Sequence, residues 1–107
     1  MKTIIDFIWD TQCPNAKAAR TNLMKAFSRV GLPPSWNEWR IGDEDNPERT
    51  LGFGSPTILI NGKDLLGTSG AKGNSCRLYQ NSGGKLSGVP DVETIATALT
   101  KANTEVD

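Results

Sequence analysis

The apolar positions change their spacing several times along this chain, and each change marks an element. From Lys2 to Trp9 the residues Ile4, Ile5, Phe7, Ile8 and Trp9 crowd successive positions, which predicts a short strand covered on both faces. Asp6 interrupts that run. It is expected near a strand end and solvated; the alternative is a buried carboxylate beneath a reactive group, able to accept a proton. From Asn15 to Val30 the spacing becomes helical, with Ala16, Ala19, Leu23, Phe27 and Val30 on one stripe and the basic residues mostly off it. Gly31 suits a C-terminal cap, and Pro33-Pro34 prevents the helix from resuming. Ser35 to Ile41 alternates: Asn37, Trp39 and Ile41 share one face, while Trp36, Glu38 and Arg40 share the other. Its mixed polarity predicts an edge strand whose tryptophans pack.

Gly42 to Asn46 forms an acidic turn. Asn46 to Leu51 then reads as a short helix, with Asn46 as cap, Pro47 in first position and Gly52 as stop. After the loop Gly52–Ser55, the runs Pro56–Ile60 and Lys63–Leu66 flank Asn61-Gly62, the strongest short hairpin signal in the chain. Pro56 is tolerated at the start of its strand because it owes no donor there. Gly67 to Gly88 holds six of the eleven glycines and is the least regular stretch, with Cys76–Tyr79 as a short strand or turn inside it. Asp91 to Ala102 closes the chain as a helix on Val92, Ile95, Ala96, Leu99 and Ala102, and residues 103–107 are expected to fray. The order is β-α-β-α-β-β-α. Its first two strands are parallel through a right-handed crossover, and its last two are antiparallel through the hairpin. The predicted fold is α/β, a four-stranded mixed sheet flanked by helices. One domain spans residues 1–107, with a glycine-rich insertion over 67–90.

A length of 107 residues supports one core and no more. Twelve basic and twelve acidic residues cancel, so nothing in the charge points to nucleic acid or an anionic membrane. The N-terminal apolar run is about half the length of a secretory leader, and no stretch could span a bilayer. A cytoplasmic protein is expected. Two cysteines are too few for a disulfide scaffold, so a disulfide here is expected to be functional. Histidine is absent altogether, which removes His-based triads and nearly every common zinc or non-haem iron site in a monomer. No cofactor is expected.

What chemistry remains centres on Trp9-Asp10-Thr11-Gln12-Cys13-Pro14-Asn15, where the strand gives way to the helix. Pro14 suits the first helical position because its missing N–H is one the helix does not use. Cys13 then lies at or just before the helix N-terminus, where unpaired N–H groups and the helix dipole favour a thiolate. Lys17 and Arg20 add positive charge nearby, and Asp10 opposes it. On this stretch alone, an activated thiol (nucleophile or soft-metal ligand) and an inert cysteine are equal alternatives.

The ordered set Cys13-Pro14, Gly54-Ser55-Pro56-Thr57, Ile58–Gly62 and Cys76-Arg77-Leu78-Tyr79 resembles the thioredoxin fold over nearly the whole chain. Within that superfamily it looks like small glutaredoxin-like bacterial proteins, and like a thioredoxin-like subgroup of which some members are linked to alkylmercury lyases. The resemblance implies a reactive Cys13 and a cis proline at Pro56. It also implies a docking surface of Pro14, Ser55, Pro56 and Thr57 for a protein or low-molecular-weight thiol or disulfide substrate. Two departures stand out. Ala16 occupies the second position of the family's Cys-x-x-Cys, so dithiol exchange within that motif is excluded. The Gly-Gly pair with which glutaredoxins hold glutathione has no clean counterpart, since Gly83-Gly84 lies too far along.

The resolving thiol would then be Cys76 or an external one. The hairpin returns the chain to the Cys13 end at Gly67, so Cys76 is expected at that end and able to pair with Cys13. The alternative packs Cys76 under its loop with Leu78 and Tyr79. Other functions compatible with the same residues are a Cu(I) or Hg(II) site on the Cys13 and Cys76 thiolates, and an interaction module with both thiols inert.

Overall fold

A computed structural model describes residues 3–65, 79–80, 86–87 and 89–105. Cys76 and most of the glycine-rich stretch lie outside the described residues. The apolar run after Thr3 forms β1 (Ile5–Trp9), which is followed by α1 (Ala16–Val30) and β2 (Asn37–Arg40). A single 3-10 turn at Glu48–Thr50 leads to the hairpin β3 (Thr57–Ile60) and β4 (Lys63–Asp64). A two-residue ladder, β5 (Tyr79–Gln80) with β6 (Leu86–Ser87), precedes α2 (Val92–Glu105).

The main sheet is mixed and four-stranded, in the order β2-β1-β3-β4. β1 is parallel to β2 and antiparallel to β3, with Ile8 opposite both Trp39 and Thr57. The alternation of β1 divides two layers. Ile5 and Phe7, with Ile58 and Ile60 of β3, meet Ala19, Leu23, Ala26 and Phe27 of α1 and Ile95, Ala96, Leu99 and Ala102 of α2. Removing these apolar faces from water is the main force holding the helices to the sheet. Asp6, Ile8, Thr57 and Leu59 occupy the opposite face and are also buried.

Local signals account for the element ends. Gly31 adopts a left-handed φ of 75°, and the N–H groups of Gly31 and Leu32 return to the carbonyls of Ser28 and Phe27, closing α1. Asn61 and Gly62 both have positive φ, 52° and 81°, as the tight hairpin turn requires. Asn61 also ties the hairpin to the start of β1, since its Oδ1 accepts from Ile4 N–H at 2.8 Å.

Five expectations need correction. The helix expected over 46–51 is one short turn, because Pro47 and Leu51 are both extended (ψ 154° and 147°) and leave room for no more. The fourth strand spans Lys63–Asp64 only, and the second spans Asn37–Arg40, shorter than the alternation suggested. α1 begins at Ala16 with Asn15 at its cap, so Pro14 precedes the helix instead of opening it. α2 runs on to Glu105 through residues expected to fray. Among the described residues, no helix is long and apolar enough to cross a membrane.

Candidate functional site

Antiparallel pairing of β1 and β3 brings the end of one strand to the start of the other. The residues beyond Trp9 therefore meet the residues before Thr57. Asp10 and Cys13 stand in the connection from β1 to α1, where Cys13 N–H donates to the Asp10 carbonyl at 3.0 Å. Gln12 N–H donates to Asp10 Oδ1 at 3.1 Å, so the Asp10 side chain stiffens the same turn. Ser55 closes the gap from the other side. Its Oγ accepts from Asp10 N–H at 3.0 Å, and its carbonyl accepts from the Cys13 thiol at 3.6 Å.

The thiol is half-buried and Pro14 is exposed, while Ser55, Pro56 and Thr57 are buried. The Ser55–Pro56 bond is cis, the isomer implied by the resemblance. Thr57 Oγ1 donates to the Gly54 carbonyl at 2.6 Å, which folds the segment tightly at the start of β3. Cys13, Ser55, Pro56 and Thr57 thus converge at one end of the sheet, with Pro14 beside them. Cys76 and its pairing lie outside the described residues. So does the two-thiolate metal site that depends on it; among the described residues, no group of three or more acidic or cysteine side chains could hold a metal.

The charges expected around Cys13 are arranged differently. The first helical N–H, that of Ala16, is taken by the Cys13 carbonyl at 3.4 Å. Arg20 forms a fork on Glu38, with Nε and Nη2 donating at 2.8 and 3.1 Å, and its guanidinium lies 5.2 Å from the ring centroids of both Phe7 and Trp9. Trp36 Nε1–H adds a bond to the same carboxylate at 3.0 Å. Burial raises the Glu38 carboxyl, but the bonds from Arg20 and Trp36 and the Arg20 charge outweigh it and hold the group below its ordinary value.

Asp6 also departs from expectation: it is 0% exposed, not solvated. Arg49 forks onto it, Nε to Oδ2 and Nη2 to Oδ1, both at 3.1 Å. Trp39 Nε1–H and Asn37 Nδ2–H donate to Oδ1 at 2.8 and 3.3 Å. Burial pushes the carboxyl up, yet these bonds and the Arg49 charge win, and Asp6 is held below the usual carboxylate range. A carboxylate stabilised in this way is a weak base, which counts against its use as a proton acceptor. Asp10 as a backbone donor and Arg49 as the partner of Asp6 were not legible as site residues. The one available signal was a lone acid in an apolar strand, which demands a cation from elsewhere.

A hollow of about 210 Å³ between β4 and α2, lined by Ile60, Lys63, Asp64, Leu65, Ala98 and Lys101 among others, includes none of the residues gathered around Cys13. No protein-family model, curated protein or solved structure matches this chain.

Proposed function

We propose that this chain is a thioredoxin-like domain that performs thiol–disulfide exchange at Cys13. The Cys13 thiolate attacks one sulfur of a disulfide R–S–S–R′, forming Cys13–S–S–R and releasing R′–S⁻. A second thiolate, that of Cys76 or an external thiol, then attacks the mixed disulfide. If Cys76 acts, R–S⁻ leaves and a Cys13–Cys76 disulfide forms; an external thiol instead restores the Cys13 thiolate. The two electrons stay within the sulfur pairs exchanged, so no cofactor enters.

The observation that carries the proposal is the contact between the Cys13 sulfur and the Ser55 carbonyl at 3.6 Å. It sets a half-buried thiol against the backbone that leads into β3, the segment in which the resemblance to the thioredoxin fold places substrate docking. The sheet order β2-β1-β3-β4, with a parallel β1–β2 pair and an antiparallel hairpin, also supports a thioredoxin-like topology. The bond to Ser55 uses the thiol proton, so it belongs to the resting protein and breaks when the thiolate forms.

Intact-mass spectrometry in glutathione and glutathione-disulfide buffers tests the proposal. It predicts either a glutathione adduct on Cys13 or a mass loss from a Cys13–Cys76 disulfide, and neither product in Cys13→Ser. A wild-type mass that stays fully reduced across oxidising buffers contradicts it.

A further inference from the structure

We propose that Asp10 selects the substrate of this site by charge: its fixed carboxylate makes Cys13 favour small disulfides with an amine close to the sulfurs, and disfavour anionic ones. The proposal rests on thiol–disulfide exchange at Cys13 and names the substrate class that the exchange favours.

The turn after β1 holds this carboxylate close to the thiol. Cys13 N–H closes onto the Asp10 carbonyl at 3.0 Å, and Gln12 N–H closes onto Asp10 Oδ1 at 3.1 Å. Asp10 N–H is tied in turn to Ser55 Oγ at 3.0 Å, so backbone and side chain are both held. The bond from Gln12 N–H keeps Oδ1 within about 7 Å of the Cys13 backbone nitrogen. Asp10 is half-buried and forms no ion pair among the described residues.

The cations on adjoining elements do not cancel it. Arg20 is committed to Glu38, Arg40 to Asp43 and Arg49 to Asp6. Lys17 remains, in the first turn of α1, but it is exposed, and its flexible stem lets the ammonium stay in water. A charge held at a fixed, partly enclosed position acts more strongly than one that is free to withdraw into solvent.

During exchange the Cys13–S–R bond forms as the substrate S–S bond breaks, and the electron pair departs on R′–S⁻. Negative charge is therefore spread over three sulfurs beside a carboxylate. An ammonium on R or R′ offsets the repulsion, whereas a carboxylate there adds to it. At about 7 Å a unit charge alters a rate about threefold even at the dielectric of water, in opposite directions for the two signs.

The experiment compares three disulfides in a Cys76→Ser background, where the mixed disulfide stays on Cys13: cystamine is cationic, bis(2-hydroxyethyl) disulfide neutral and dithiodipropionate anionic. Dividing each protein's rates by its own neutral-disulfide rate removes any change in thiolate fraction. Comparing proteins removes the intrinsic reactivities of the leaving thiols. Asp10→Asn keeps an acceptor for Gln12 N–H and deletes the charge. At low salt it should lower the cystamine-to-dithiodipropionate ratio about tenfold, with the first normalised rate falling and the second rising. A merely structural effect would move both the same way. The two proteins should converge at about 1 M salt, where the screening length is about 3 Å. Lys17→Gln should raise the ratio by less than about twofold. If Asp10→Asn does not fold, Asp10→Ser, which also keeps an oxygen acceptor, carries the same comparison. A ratio that Asp10→Asn leaves unchanged, or that responds more to Lys17→Gln than to Asp10→Asn, overturns the selecting role while leaving the exchange chemistry intact. A Cys76→Ser protein that reacts with none of the three disulfides overturns the exchange chemistry, and the selecting role with it.

Discussion

The Cys13 sulfur stands 3.6 Å from the Ser55 carbonyl oxygen, although 42 positions separate the two residues in the chain. The contact follows from sheet direction: β1 and β3 run antiparallel, so the exit of one is the entrance of the other. Asp10 reinforces it from the backbone, since its N–H holds the Ser55 hydroxyl.

Ser55→Ala should test that reinforcement. The substitution removes the acceptor for Asp10 N–H but keeps the carbonyl that faces Cys13. A part-buried donor left without its partner is expected to lower stability by about 1 kcal/mol. Urea unfolding measures it; a midpoint equal to wild type would show that the bond contributes nothing.

Asp6 should give the protein an acid-sensitive stability term. Its carboxyl is held below the ordinary value, so the folded state binds fewer protons than the unfolded state in the window between the two. The contribution is present above the usual carboxylate range and is lost as pH falls below about 4. At neutral pH, Asp6→Asn should cost roughly 2 kcal/mol, less than a fully enclosed ion pair because Arg49 is half in water. Unfolding free energies of both proteins, measured from pH 7 downward, should converge under acid. A gap that stays constant or widens would contradict the assignment.

Arg20 should matter little to the reactivity of Cys13. Its guanidinium is committed to Glu38, with the side chains of both residues 34% exposed. Arg20→Gln is expected to change the Cys13 alkylation rate by less than about twofold and stability by less than about 1 kcal/mol, the usual worth of a solvent-screened pair. Iodoacetamide kinetics at low and moderate salt check this, and a strongly salt-dependent fall in rate would show that the charge reaches the sulfur.

Much of the fold was legible because local patterns carried it. The crowded apolar run of β1, the stripe of α1 ending at Gly31, and Asn61-Gly62 each encode their structure within a few residues. The short turn at Glu48–Thr50 misled because Pro47 followed by a polar run resembles a helix start, while the extended Leu51 that ends it leaves no sequence mark. Pro14 misled similarly, since proline is as acceptable just outside a helix as in its first position. The site was legible as separate pieces, Cys13 and Ser55-Pro56-Thr57. The tie between Asp6 and Arg49 was not, because an ion pair across 43 positions has no periodicity to reveal it.

The most direct measurement is the rate at which Cys13, in the Cys76→Ser protein, forms a mixed disulfide with bis(2-hydroxyethyl) disulfide, compared between the native protein and the same protein unfolded in urea. If the fold activates this thiol for exchange, the native rate exceeds the unfolded rate by about tenfold or more. A native rate below the unfolded one would mean that the fold shields Cys13, and would contradict its assignment as the nucleophile.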